Sequence, residues 1–389
     1  MDRANQIIYL DNAATTFPKP REVLEDMIET YVQLGVSPGR GSYDLAVEAE
    51  NFVRQCRIKL AHFFSAPDPD RVVFANNATD ALNLAIQGLV QSGDHVVATR
   101  LEHSSVLRPL YHLRENGLIE YDLVPFNGDG FIKPDDVADI IRPTTKLVIV
   151  CHASNVLGTI QPIPEIGRLC RERGVPLLID AAQSAGQIPI NMDAWGVSAV
   201  AFTGHKSLYG PTGIGGLVLT PDLDVKSTRF GGTGIESKSL IHTQIFPHRL
   251  EAGTLNLMGV IGLSAGLDYI QAKGIDAIHH RQMELLTRLK DGLSELSGVD
   301  IYCAKDLTNY VAVLTIDVRG LHPENVSAIL DVDFGIAVRA GLHCAPLAHE
   351  DLGTSPNGGV RFSIGCFNTT EDIDAAIKAM SEISKHRSR

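Results

Sequence analysis

Val197-Ser198-Ala199-Val200-Ala201-Phe202-Thr203-Gly204-His205-Lys206-Ser207 is an apolar run that stops at a single lysine, and the glycine-rich Tyr209 to Gly216 follows it. Upstream, Leu177-Leu178-Ile179-Asp180-Ala181-Ala182-Gln183 repeats the pattern and stops at a carboxylate. Short apolar runs bounded by small residues read as buried strands. Outward from these two, the chain from about residue 70 alternates β-rich runs with helical patterns: Val72 to Phe74 then Thr79 to Val90, and His95 to Thr99 then Ser105 to Asn116. Tyr121 to Phe126, Lys146 to Cys151, a helix from Pro164 to Arg173, and Pro176 to Asp180 continue it. Such alternation predicts an α/β fold with βα units around a mostly parallel sheet.

A chain of 389 residues predicts two domains. Near residue 260 the pattern changes to a long helix from Ile275 to Leu296, separated strands near Val311 to Val318, Ala337-Val338 and Val360 to Ile364, and a last helix from Glu371 to Ser384. The expected division is a large domain over 15–260 and a smaller α+β domain over 261–389, completed by part of residues 1–14. Pro18, Pro20, Pro38 and Gly39 place loops around a helix from Arg21 to Leu34.

With 44% hydrophobic and 21% charged residues the composition is that of a soluble globular protein. A formal charge of −12 argues against broad nucleic-acid binding, and Lys385 to Arg389 reads as a solvated basic tail. The six cysteines show no metal or disulfide spacing, so no metal is expected. Met1 to Leu10 holds too short an apolar group for a secretion signal, and no run is long enough to span a membrane. A reducing cytoplasm is the expected location.

Ligands of parallel sheets bind beyond the carboxyl ends of the strands. Asn76 to Thr79, Glu102-His103, His152 to Asn155, Asp180 to Gln183 and His205-Lys206 all follow predicted strands, so one cleft collects them. Lys206 is either a surface lysine or an amine poised to form a Schiff base. Asp180 is either a helix cap or the carboxylate that keeps a pyridine nitrogen protonated, with Gln183 able to donate to a ring oxygen. The small residues and hydroxyl of Asn77-Ala78-Thr79 at a helix start make either a plain cap or an anion site. Together these point to a pyridoxal phosphate site, with His103 stacking on the ring and moving protons. Arg339 to Pro346 reads as a tight exposed loop in which Cys344 is a candidate nucleophile, whereas Cys151 and Cys170 read as buried and inert. Arg361 is either a surface arginine or a clamp for a substrate carboxylate.

Tyr9 to Thr16, Ser154 to Gly158, Asp180 to Gln183, Gly204-His205-Lys206 and Glu251 to Thr254 together resemble the class V aminotransferase family of fold-type I pyridoxal phosphate enzymes, over about residues 7–380. Within it the chain is similar to second-group cysteine desulfurases, which also act on selenocysteine. Arg339 to Ala345 matches their reactive-cysteine motif, with Leu342 in place of a histidine and Ser207 as an added residue after the lysine. The resemblance implies a mixed, mostly parallel seven-stranded sheet, pyridoxal 5'-phosphate as cofactor, and a homodimer. It implies desulfuration of L-cysteine to L-alanine through a Cys344 persulfide, with Lys206 and His103 as the other catalytic residues. Ala78, Thr79, Thr203 and His205 would surround the phosphate, and Thr254 would come from the partner subunit. Asn155, Arg361, Ala14 and an Arg40 entering the neighbouring site would bind substrate. A sulfur-acceptor protein, as in iron–sulfur cluster assembly, is implied. Selenocysteine lyase, C–S lyase, aminotransferase and noncatalytic binding are the competing readings.

Overall fold

Leu147 and Ile149 point into one hydrophobic core, while Val148 and Val150 point into another on the opposite face of the same strand. The same split occurs at Val96 and Val97, Leu178 and Ile179, and Ala199 and Val200. A strand buried on both faces has no polar side to present, which is why these runs are apolar throughout. The computed structural model describes residues 7–236 and 238–385. The readings of Met1 to Gln6 and of the tail beyond Lys385 lie outside the described residues.

The chain begins with β1 (Ile8–Tyr9), α1 (Arg21–Leu34) and α2 (Asp44–Phe63). The alternating region comprises β2 (Val72–Ala75), α3 (Ala78–Leu89), β3 (Asp94–Thr99), α4 (Ser104–Glu115), β4 (Ile119–Val124), α5 (Pro134–Asp139) and β5 (Thr145–Cys151). It continues through α6 (Ile163–Glu172), β6 (Leu177–Asp180), α7 (Met192–Trp195), β7 (Ala199–Thr203) and β8 (Gly215–Leu219) to α8 (Leu257–Lys273). The remainder is α9 (Ile275–Ser294), β9 (Val299–Tyr302), β10 (Val313–Val318), α10 (Pro323–Phe334), β11 (Ile336–Ala337), β12 (Arg339–Gly341), α11 (Pro346–Asp351), β13 (Gly359–Ser363) and α12 (Thr370–Lys385).

The main sheet has seven strands in the order β2-β8-β7-β6-β5-β3-β4, and only β8 runs antiparallel to its neighbours. The carboxyl ends of β2, β3, β5, β6 and β7 therefore share one edge. A second sheet, β12-β13-β10-β9, is antiparallel and packs on α9, α10 and α12 through a separate core. The first strand belongs to this second unit: Ile8 pairs with Ile336 and Tyr9 with Ala337, and Leu10 is buried beside Leu314 and Phe362.

Several elements are not anticipated from the sequence, among them α2, α8, α10, β8 and β9. α8 is apolar on nearly every side, so no polar face marks its period. The glycine-rich Tyr209 to Gly216 gives no strand pattern, yet its last two residues open β8, and a side chain at Gly215 would put its Cβ 2.6 Å from the Phe202 carbonyl and 2.8 Å from the Asn77 Cα, so only glycine lets this strand lie under the start of α3. α2 is fixed by a buried, two-pronged ion pair in which Arg57 Nη1 and Nη2 donate to Glu251 at 2.8 and 2.7 Å. β4 starts and ends two residues earlier than expected. The expected division at residue 260 falls inside α8, whose Val260, Ile261 and Leu263 lie in the large core, whereas α9 sends Leu285, Leu289 and Leu293 into the core of the second unit.

Candidate active site

The last residues of three adjacent strands, Cys151, Asp180 and Thr203, open onto one cavity of about 270 Å³. Into it the fold also brings Ala14, Ala78, Thr79, His103, Asn155, Gln183, His205, Lys206 and Arg361. Cys344, Arg40 and Thr254 are not among its lining residues.

Lys206 stands on a clamped backbone. The His205 carbonyl accepts hydrogen bonds from Thr15 Oγ1 at 3.0 Å, the Thr16 N–H at 3.2 Å and Lys19 Nζ, and the Lys206 carbonyl accepts from Thr16 Oγ1 at 3.0 Å. Gly186 makes room for this segment, because a Cβ there would fall 2.1 Å from the Ser207 carbonyl. Ser207 accepts a hydrogen bond from Gln187 Nε2 at 2.8 Å. Desolvation lowers the Lys206 amine to about 8, against the opposing pull of Asp180. Near neutral pH a useful fraction is the free, nucleophilic amine.

Asp180 is 4% exposed, and burial raises its carboxyl. Its Oδ1 accepts from the Ala182 N–H at 2.9 Å, so it caps the following turn as well as lining the cavity. Gln183 Nε2 donates to the Ala13 carbonyl at 3.0 Å. Behind them Glu102 is fully buried, its Oε1 accepting from Thr99 Oγ1 and the Cys151 N–H, both at 2.7 Å. Burial pushes Glu102 up to about 8, so it is neutral at pH 7. Cys151, buried as expected, is pushed well above its ordinary value by the same loss of solvent and by Glu102.

At the start of α3, Asn77 caps the helix by accepting from the Asp80 N–H at 2.9 Å, leaving the first amides facing the cavity end. Thr79 Oγ1 lies 2.6 Å from Ser105 Oγ, which lies 2.8 Å from His103 Nδ1. The Ser105 N–H also donates to that nitrogen at 3.1 Å, so His103 carries its proton on Nε2. Burial and the Lys206 charge lower His103 to about 4. Thr203 Oγ1 and His205 Nδ1 line the same region and are buried without a hydrogen-bond partner among the described residues.

The opposite end is cationic. Arg361 is 1% exposed, which corrects the surface reading: it is a core residue whose Nη2 donates to Asp11 Oδ1 at 2.7 Å and whose Nη1 donates to the Asn155 carbonyl at 3.1 Å. Arg361 Nε and Asn155 Oδ1 are buried and unpartnered among the described residues, so an incoming polar group has fixed partners waiting. Asn155 Nδ2 donates to the His343 carbonyl at 2.6 Å.

Cys344 is exposed at the rim, 3.7 Å from Arg339 Nη2. The expected exposed loop is only partly so: its first three residues form β12, and His343 is 2% exposed and lines the cavity. Arg40 is exposed and reaches the Gly232 carbonyl, which also accepts from the Gly253 N–H next to the exposed Thr254. The sequence reading does not assign Asp11, Ser105 or the Thr15 to Lys19 clamp. The one available signal for Asp11 is its place in the Tyr9 to Thr16 motif.

The sequence matches the aminotransferase class-V family over residues 8–376. A probable cysteine desulfurase of Methanothermobacter thermautotrophicus is 37% identical over 97% of this chain and 94% of its own length. The apo structure of a cysteine desulfurase from Thermococcus onnurineus NA1 superposes with a TM-score of 0.92 at 35% identity, covering 98% and 96% of the two chains. The cysteine desulfurase CsdA (S-sulfonic acid) of Escherichia coli superposes with a TM-score of 0.88 at 28% identity, again over 98% and 96%.

Proposed function

The chain belongs to the class-V aminotransferase family, and we propose that it is a pyridoxal-phosphate-dependent cysteine desulfurase that converts L-cysteine to L-alanine and keeps the sulfur as a persulfide on Cys344. The observation that carries this reading is the joining of two chemistries in one place. The cavity that holds a depressed amine and a buried carboxylate is lined by Arg339 and His343, and the exposed Cys344 thiol lies 3.7 Å from Arg339 Nη2.

The cavity suits the cofactor. The unpartnered Thr203 Oγ1 and His205 Nδ1, with the free amides of α3, suit its phosphate. Asp180 suits the ring nitrogen, Gln183 the ring oxygen, and His103 a ring face. When bound, the cofactor supplies an aldehyde for the Lys206 amine and an electron sink for the substrate carbon. Arg361 and Asn155 orient the substrate carboxylate. Lys206, with its amine near 8, takes and returns a proton at the substrate carbon, and His103 Nε2–H offers a second proton position. Cys344 Sγ takes the sulfur: the substrate C–S bond and the Cys344 S–H bond break, an S–S bond and a C–H bond form, and the transferred sulfur keeps its hydrogen.

The same reading makes the active unit a homodimer. Arg40 and Thr254 lie outside their own cavity, and Val32, Phe230, Leu240 and Ile241 are apolar and strongly exposed, which supports a second copy covering them. The persulfide then passes to a sulfur-acceptor protein. The deciding experiment measures alanine and bound sulfane sulfur from L-cysteine and L-selenocysteine with the intact holoenzyme. Alanine with a Cys344 persulfide supports desulfuration; pyruvate, or an amino group transferred to a keto acid, overturns it.

A further inference from the structure

His343 and Cys344 both have left-handed backbone angles, φ +50° and +58°. A residue with a side chain pays roughly 1–2 kcal/mol for that conformation, and two in succession persist only where the surroundings hold them. Cys344 has little to hold it by its own side chain, which is exposed and touches only the Arg339 guanidinium at sulfur hydrogen-bond distance among the described contacts. Its position is therefore set by the backbone, and the backbone is held at several points. The Cys344 carbonyl accepts from the Ser104 N–H at 2.7 Å and Oγ at 2.9 Å, and the His343 carbonyl accepts from Asn155 at 2.6 Å.

The remaining hold is the His343 ring, and it leads away from the cavity. Nε2 lies 3.1 Å from the Arg339 carbonyl, Nδ1 lies 3.1 Å from His349 Nε2, and His349 Nδ1 lies 2.8 Å from Thr354 Oγ1. A carbonyl can only accept, so His343 Nε2 donates and its Nδ1 must accept when the ring is neutral. His349 Nε2 is then the donor to His343, and its Nδ1 accepts from the Thr354 hydroxyl. With both rings neutral, one direction of donation satisfies these ring bonds, and the single Thr354 hydroxyl proton, which also faces the His349 carbonyl at 3.2 Å, goes to Nδ1. Burial accounts for that state, holding His343 at about 2 and His349 at about 4.

His349 is 0% exposed, sits in α11 and does not line the cavity, so it has no part in binding or chemistry by contact. We propose that His349 is a positioning residue for Cys344: by donating to His343 it keeps the left-handed pair that presents Sγ beside Arg339 at the cavity mouth, and so sets the rate at which the thiol accepts sulfur. This rests on the reading of Cys344 as the sulfur acceptor.

Two substitutions that both fill the buried space separate positioning from packing. His349→Gln keeps an N–H donor toward His343, whereas His349→Leu removes it. In the holoenzyme, His349→Leu is expected to lower kcat for alanine formation about tenfold or more with KM for cysteine changed less than about threefold, since small misplacements of a reacting group cost rate rather than binding. His349→Gln is expected to stay within about threefold of the parent in both. Cofactor absorbance should be the same in all three. The rate of Cys344 alkylation by iodoacetamide, read by mass spectrometry, should change in the leucine variant and not in the glutamine variant. Parental alkylation and turnover in His349→Leu, or a glutamine variant no better than leucine, overturns the proposal. If the parent makes no alanine, the proposed activity fails while the alkylation comparison still decides the role of His349.

Discussion

Arg339 and Arg361 are direct cross-strand partners in the antiparallel pair β12 and β13, so two guanidinium groups stand opposite each other at one end of the cavity. Like charges in that relation are destabilising, and Asp11 counters the Arg361 charge. The arrangement favours an anion between them, and the nearby His103 and His343 feel the same field in their lowered proton affinities.

Arg361→Lys is therefore expected to fold, keeping a cation beside Asp11, but to lose the forked donor set. KM for cysteine should rise about tenfold to a hundredfold, with a smaller change in kcat. Steady-state kinetics with a melting curve as control checks this. An unchanged KM would remove Arg361 from the substrate site.

Covalent uptake of pyridoxal phosphate by the apoprotein should accelerate over roughly pH 7 to 9, because the neutral Lys206 amine is the attacking form and burial holds it at about 8. The unfolded chain keeps this proton up to about 10.5, so the apoprotein also gains stability as pH rises between those two values. Lys206→Ala should fold, bind the cofactor only reversibly and show no turnover. Borohydride trapping at a series of pH values reads the first outcome, and a flat profile contradicts it.

Cys344→Ala should melt within about 0.5 kcal/mol of the parent, since the side chain is exposed and touches only the Arg339 guanidinium among the described contacts. It should still take up cofactor and yet yield almost no alanine or sulfane sulfur from cysteine. Selenocysteine is the informative control, because selenium leaves without help from a thiol. Parental turnover of cysteine would make Cys344 dispensable.

Glu102→Gln should become the more stable protein in alkaline solution. Glu102 is held neutral to about 8 in the fold but ionises near 4.5 in the unfolded chain, so the parent loses stability as pH rises from 4.5 to 8 and the amide does not. The two should melt alike near pH 4, and the variant should lead by about 2–4 kcal/mol above pH 8. Parallel stability curves across that range would show that Glu102 ionises normally.

What could be read in the sequence was local. Leu177 to Asp180 and Ala199 to Thr203 announce themselves because burial on both faces excludes polar residues, and the carboxyl-end rule then gathers Asp180, His103 and Lys206 into one cleft before any coordinates are known. Arg361 is different: its partner Asp11 is 350 residues away, and nothing near either marks the pair, so a buried clamp reads equally as a surface arginine. His349 fails for a related reason, since its ring meets His343 across the irregular stretch between β12 and α11, where no sequence period applies. α8 is invisible to periodicity because a helix that is apolar on nearly every side has almost no period to show.

The pairing of Ile8–Tyr9 with Ile336–Ala337 also imposes an order in time on a growing chain. At typical ribosomal rates of about 5–20 residues per second, the first strand waits roughly 15–65 s for its partner. Lys206, Asp180, Thr203 and the α3 amides are all synthesised well before Cys344 and Arg361. The half of the cleft suited to a phosphorylated aldehyde is thus translated first, and the thiol and the carboxylate clamp arrive late, at the moment the opening strand is finally sealed into its sheet. In a nascent chain so ordered, the cradle around Lys206, Asp180 and the α3 amides is complete in sequence before the Arg361 clamp has been made.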